Sequence, residues 1–83
     1  MISDRVINKF NRLLVEKQQL TEEAERLETD WYVLTDQYMN GNILGPIGKE
    51  QNRIKREIEK RNRKVCRINR ELENISLKYG LPL

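Results

Sequence analysis

Two rows of residues, each alternating steps of four and three without a break, constrain this chain more than anything else in it. The first row is Val6, Phe10, Leu13, Lys17, Leu20, Ala24, Leu27, Trp31, Leu34 and Tyr38. The second is Ile47, Gln51, Ile54, Ile58, Arg61, Val65, Ile68, Leu72, Ile75 and Tyr79. Steps averaging about 3.5 residues mark the a and d positions of a heptad, which hold one stripe of a helix against a partner. Between the rows lies Tyr38–Gly48, YMNGNILGPIG, with three of the four glycines and one of the two prolines. Gly41 tolerates positive φ, while Pro46 lacks an N–H and restricts Gly45 before it, so no helix is expected to run through this stretch. The expected fold is all-α, an antiparallel helical hairpin of two long heptad-patterned helices.

The two rows also propose a register. Pairing residues whose numbers add to 85 gives ten rungs, from Tyr38 opposite Ile47, through Leu20 opposite Val65, to Val6 opposite Tyr79. Every a position then meets a d, as an antiparallel pair requires. Two strict heptads coincide at one shift in about seven by chance. The support comes from the connection, which at this shift is the eight residues Met39 to Pro46, near the top of the usual range between helices.

Local signals set the expected bounds of a single domain, residues 1–83: helix 1 over about 3–39, a loop over about 40–45, and helix 2 over about 46–79. Ser3 reads as an N-cap, with Ile2 and Ile7 placed for a hydrophobic staple. Asn40 and Gly41 read as the stop of helix 1. Gly45 and Pro46 read as cap and first residue of helix 2, where a missing N–H costs nothing. Gly80 is expected to end it, Pro82 to prevent its resumption, and Leu81 to fold back on Ile75.

Three core-type positions are polar: Lys17, Gln51 and Arg61. Arg61 falls opposite Ala24, whose small side chain leaves room for a long stem with its charged head in water. Polar seam residues of this kind set register and orientation.

Apolar residues outnumber the seam positions. Ile7 and Leu14 sit one position beyond Val6 and Leu13, with Val15, Leu77, Leu81 and Leu83 nearby. A stripe widened in this way suits a helix touching two partners. A second surplus, Tyr32, Val33, Met39, Ile43 and Leu44, gathers around Trp31 near the tip. Self-association into a homodimer, a four-helix bundle, would bury them.

Charge is distributed unevenly. Lys49, Arg53, Arg56, Lys60, Arg63, Arg67 and Arg70 repeat the four-and-three spacing at c and f positions, opposite the seam. They are expected to form a basic stripe about 30 Å long. Helix 2 carries eleven Lys and Arg against five acids, and residues 1–40 carry five against eight. Beside the seam, Glu23 with Lys64 and Glu28 with Lys55 look attractive, whereas Asp30 with Glu57 and Glu16 with Glu71 do not. Exposed pairs contribute little to stability in any case.

Several function classes recede. Charged residues make up 35% of the chain and aromatics 6%, which suits a solvated helix pair better than a globule with a pocket. With no histidine and the single Cys66 at an outward position beside Lys64 and Arg67, no catalytic, cofactor or metal site is expected. The longest apolar runs are too short for a transmembrane segment, and Asp4 and Arg5 stand where a signal peptide would begin. An intracellular location, cytoplasm or nucleus, a virus-infected cell included, is expected rather than secretion.

Two readings of function remain. In the first, the chain is a non-catalytic coiled-coil assembly or scaffold protein that oligomerises and binds an acidic protein partner through its apolar tip and basic stripe. In the second, it is a nucleic-acid-binding regulatory protein whose stripe contacts the phosphate backbone without reading base sequence. A net charge of +3 and an acidic companion helix favour the first. A piece of a longer coiled-coil protein is a weaker third reading; the initial Met and the closing Gly-Leu-Pro-Leu look like natural limits.

Overall fold

Two helices of equal length make up the molecule: α1, Asp4–Met39, and α2, Leu44–Tyr79, each of 36 residues. This computed structural model describes residues 2–39 and 44–83, with side chains described over 2–37 and 48–83. At 1.5 Å per residue each helix is about 54 Å long. The molecule measures 62 × 16 × 14 Å, so the helices lie side by side as an antiparallel hairpin. A continuous rod of this chain would be roughly twice as long.

The seam follows the two rows. Phe10, Leu13, Ala24, Ile54, Ile68 and Leu72 are buried, and all six are a or d positions. Each other described row member, Lys17, Gln51 and Arg61 included, is half-buried. Two cross-helix bonds fix the register. Arg61 Nε donates to Glu23 Oε2 at 3.0 Å, and Gln51 Nε2 donates to Thr35 Oγ1 at 2.8 Å. These pairs have residue numbers adding to 84 and 86, on either side of the expected 85. The rung of Tyr38 with Ile47 lies outside the described side chains.

Packing is densest at the open end. Phe10, Leu13, Ile68 and Leu72 form one cluster, with Leu20, Ile75 and Leu81 packed against it. Toward the tip, Ala24 and Arg61 interrupt the apolar row before Ile54 resumes it.

The described ends of the helices are capped by local chemistry. Ser3 Oγ accepts the Val6 N–H at 3.4 Å and the Ser3 carbonyl accepts the Ile7 N–H at 3.2 Å, satisfying donors that have no partner inside the first turn. At the other terminus Gly80 has φ 69°, and its N–H bonds the Ser76 carbonyl at 2.8 Å. This is the single-bond left-handed ending that glycine adopts without penalty. Leu81 then turns back onto the core cluster, where Ser76 Oγ donates to its carbonyl.

Helix 2 starts two residues before the expected position. With Leu44 as its first residue, Pro46 is the third, still within the turn whose N–H groups have no intrahelical acceptor. Gly45, lacking a Cβ, also relieves the clash that proline imposes on the residue before it. The expected loop therefore loses residues 44 and 45 to the helix, and the expected stop at Asn40 and Gly41 lies outside the described residues.

Candidate interaction surfaces

Viewed from the helix ends, the hairpin offers four surfaces: the outer faces of α1 and α2, and two flanks where both helices meet solvent beside the seam. The outer face of α2 carries the stripe. Lys49, Arg53, Arg56, Lys60, Arg63, Arg67 and Arg70 are all exposed. Helical spacing explains this, since c and f positions lie opposite a and d. Arg53 pairs with Glu50, holding that carboxyl below its ordinary value. Lys60 stands 4.0 Å from Glu57. Arg63 Nε donates to the Glu59 carbonyl at 3.4 Å. Among the described residues, Arg56, Arg63, Arg67 and Arg70 meet no carboxylate partner. Cations without local partners project the strongest field toward an external anion.

Arg61 organises one flank. Its stem lies in the seam and its head emerges toward α1, 25% exposed. There Nε bonds Glu23, while Nη1 donates to Glu57 Oε2 at 2.7 Å and to the Glu57 carbonyl at 3.1 Å. The guanidinium lowers the Glu57 carboxyl below its ordinary value, with Lys60 assisting. Arg61 in turn holds its proton more tightly, through Glu57 first and Glu23 second. Glu23 is thus engaged by Arg61 rather than by Lys64, because a seam arginine reaches this flank from between the helices.

The apolar surplus of the open end is largely unburied. Ile7 and Leu14 are 37% and 38% exposed, Val15 56%, Leu77 82% and Leu83 71%. Leu81 leaves that group, since it packs on the hairpin's own core. Leu14 and Leu83 line one groove with Lys17, Asn69, Leu72 and Glu73. Near the other end, Tyr32 is 63% and Val33 50% exposed. Tyr32 stands edge-on to Trp31 with ring centroids 5.5 Å apart, and the two line a second groove with Glu28, Lys55 and Ile58. The remaining expected tip contacts, the side chains of Met39 and Leu44 and all of Ile43, lie outside the described residues.

Among the described residues, no group of three or more His, Cys, Asp or Glu is placed to hold a metal ion. No described helix is long and apolar enough to cross a membrane. Cys66 is an exposed free thiol. The fold defines the class of this molecule as an all-α helical hairpin. No protein-family model, curated protein or solved structure matches the chain.

Proposed function

We propose that this chain is a non-catalytic assembly protein, which self-associates through its exposed apolar side chains and presents the α2 stripe to an acidic partner. The carrying observation is the imbalance between core and surface. Six described residues are buried, while seven large apolar side chains stand at least 37% exposed. Single exposed apolar residues are ordinary on proteins. Here Ile7 and Leu14 border the seam itself and extend its apolar stripe, which favours a further helical partner. The stripe supports recruitment of an anion-bearing surface, and the moderate net charge of +3 favours acidic protein over nucleic acid. Sedimentation at micromolar concentration tests the first half. A dimer or larger species is expected, and a stable helical monomer would overturn the reading.

A further inference from the structure

The basic stripe of α2 is not uniform along its length. In its tip half Arg53 pairs with Glu50 and Lys60 stands 4.0 Å from Glu57, with Lys49 and Arg56 set singly beside these pairs. From residue 60 to residue 70 the sequence carries six Lys and Arg and no acid. Of these, Arg61 is taken up on the flank by Glu23 and Glu57. Arg63, Arg67 and Arg70 are exposed at successive f, c and f positions, and none of the three is bridged to a carboxylate among the described residues. Glu71 and Glu73 stand beside this face at flank positions, and neither is bridged to an arginine. Uncompensated guanidinium is therefore densest toward the open end.

The same face continues past Arg70. Its next c and f positions are Asn74 and Leu77. Leu77 is 82% exposed, more than any other large apolar side chain among the described residues. It stands about 10 Å beyond Arg70 along the helix axis. An f position points away from the seam, so Leu77, unlike Ile7 and Leu14, does not widen the hairpin's own apolar stripe. The outer face of α2 thus presents a row of cations closed at one end by a leucine. The seven cations recur every 3.5 residues on average, which is about 5 Å on a helix. A partner helix repeats that interval, whereas side chains on one face of an extended strand recur at about 6.6 Å and fall out of step along the stripe. A phosphodiester backbone would match the cations but carries no apolar group to cover Leu77.

We propose that Arg63, Arg67 and Arg70, with Leu77 beyond them, form a docking site for an acidic helix of another protein, whose carboxylates face the arginines and whose apolar side chain covers Leu77. This rests on the acidic-partner reading above and deepens it. It also assigns Leu77 to that partner and not to self-association. Guanidinium forks take carboxylates in a bidentate manner, and arginines that spend nothing on local partners keep all their donors for an incoming one. The charges supply attraction and rate of encounter. The leucine supplies direction: turned end for end, a helix of matching length would lay its apolar residue over cations and leave Leu77 in water.

Fluorescence anisotropy with the full chain and two labelled synthetic peptides tests the site. One peptide is a helix with glutamates at alternating steps of four and three and a leucine beyond the last; the other has glutamine in place of that leucine. The leucine peptide should bind more tightly. Leu77→Ala should weaken the leucine peptide about tenfold, as loss of a buried leucine contact warrants, and leave the glutamine peptide unchanged. Its salt slope should not move, whereas Arg63→Gln with Arg67→Gln and Arg70→Gln should weaken both peptides and flatten the slope. Lys49→Gln with Arg53→Gln and Lys60→Gln, at the tip, should weaken them less. All these positions are exposed, so the variants should fold, which circular dichroism checks. Unchanged leucine-peptide affinity in Leu77→Ala, or an equal loss from the tip variant, would overturn the site and leave the acidic-partner reading standing. A shift of Leu77→Ala toward monomer in sedimentation would return that residue to self-association and overturn the site likewise. Binding of neither peptide, or tighter binding of duplex DNA than of both, would overturn the site and the acidic-partner reading together.

Discussion

Arg61 bonds Glu23 across the seam at 3.0 Å and Glu57 along its own helix at 2.7 Å, so one guanidinium joins both helices. It stands in the rung of Ala24, which is buried. The methyl group leaves the space that the arginine stem occupies. Replacing Arg61 with Met should keep the denaturation midpoint close to its original value, because the stem's packing is retained and both carboxylates still reach water. Arg61→Ala should lower it clearly, since the stem is then lost as well. Urea unfolding of the two variants checks the ordering.

The same contact has a pH signature. Glu57 has a lowered pKa in the folded chain, chiefly through the Arg61 hydrogen bond. As acid is added the unfolded chain therefore takes up that proton first. The stabilisation is fully present above the ordinary value of 4.5 and is lost as pH falls through the lowered folded value. Glu50, lowered by Arg53, adds in the same direction. Both carboxylates are solvent-accessible, so the loss should be modest. In urea midpoints from about pH 3 to about pH 7, Arg61→Met should flatten part of the rise.

The core at the open end should dominate stability. Leu72 is 1% exposed within the Phe10, Leu13 and Ile68 cluster, and Leu72→Ala should cost about 2–5 kcal/mol. That is a large share of what a domain of this size possesses. Leu77 is 82% exposed, and Leu77→Ala should change stability by no more than about 0.5 kcal/mol. Chemical denaturation separates the two.

Two glycines should respond in opposite directions. A Cβ at Gly48, inside α2, would meet nothing within 4 Å. Gly48→Ala should therefore stabilise the chain by about 0.5–1 kcal/mol through helix propensity. Gly80 has φ 69°, and Gly80→Ala should cost about 1–2 kcal/mol even though its Cβ also meets open space. Thermal melting of both variants checks the pair of signs.

The seam was readable because two unbroken rows leave little freedom: once Leu13 faces Leu72, steps of three and four place every other rung. Leu44 as a helix start was not, because Gly45 and Pro46 are strong punctuation, and a helix accommodates a missing N–H through its third residue. The partner of Glu23 was missed for another reason. The heptad spacing places Arg61 in the seam, yet a side chain that long belongs to the seam by its stem and to the flank by its head. Exposure of the stripe followed from spacing alone. Arg53 turning to Glu50 did not, since intrahelical pairs compete with outside partners through rotamer choice.

The stripe separates the two functional readings. Arg56, Arg63 and Arg70 are exposed and point away from the seam, so changing all three to Gln should barely alter stability or helicity, Gln being nearly as good a helix former as Arg. In an assembly protein, the unchanged chain should bind duplex DNA or RNA weakly or not at all at physiological salt, and the triple variant should lose an acidic protein partner. In a nucleic-acid binder, the unchanged chain should lose duplex affinity steeply as salt rises. The variant should then bind more weakly with a shallower salt slope, the slope falling by roughly one for each phosphate contact removed. Affinity should also be nearly indifferent to base sequence, because arginines on one straight helix face reach phosphates without a device for reading base edges. We expect the first outcome. The partner-free arginines alone would favour phosphate, but α1 carries eight acids against five Lys and Arg along the same hairpin, which holds the net charge to +3 and weakens the attraction for a polyanion. Tight, salt-sensitive duplex binding that the triple change abolishes would reverse that preference.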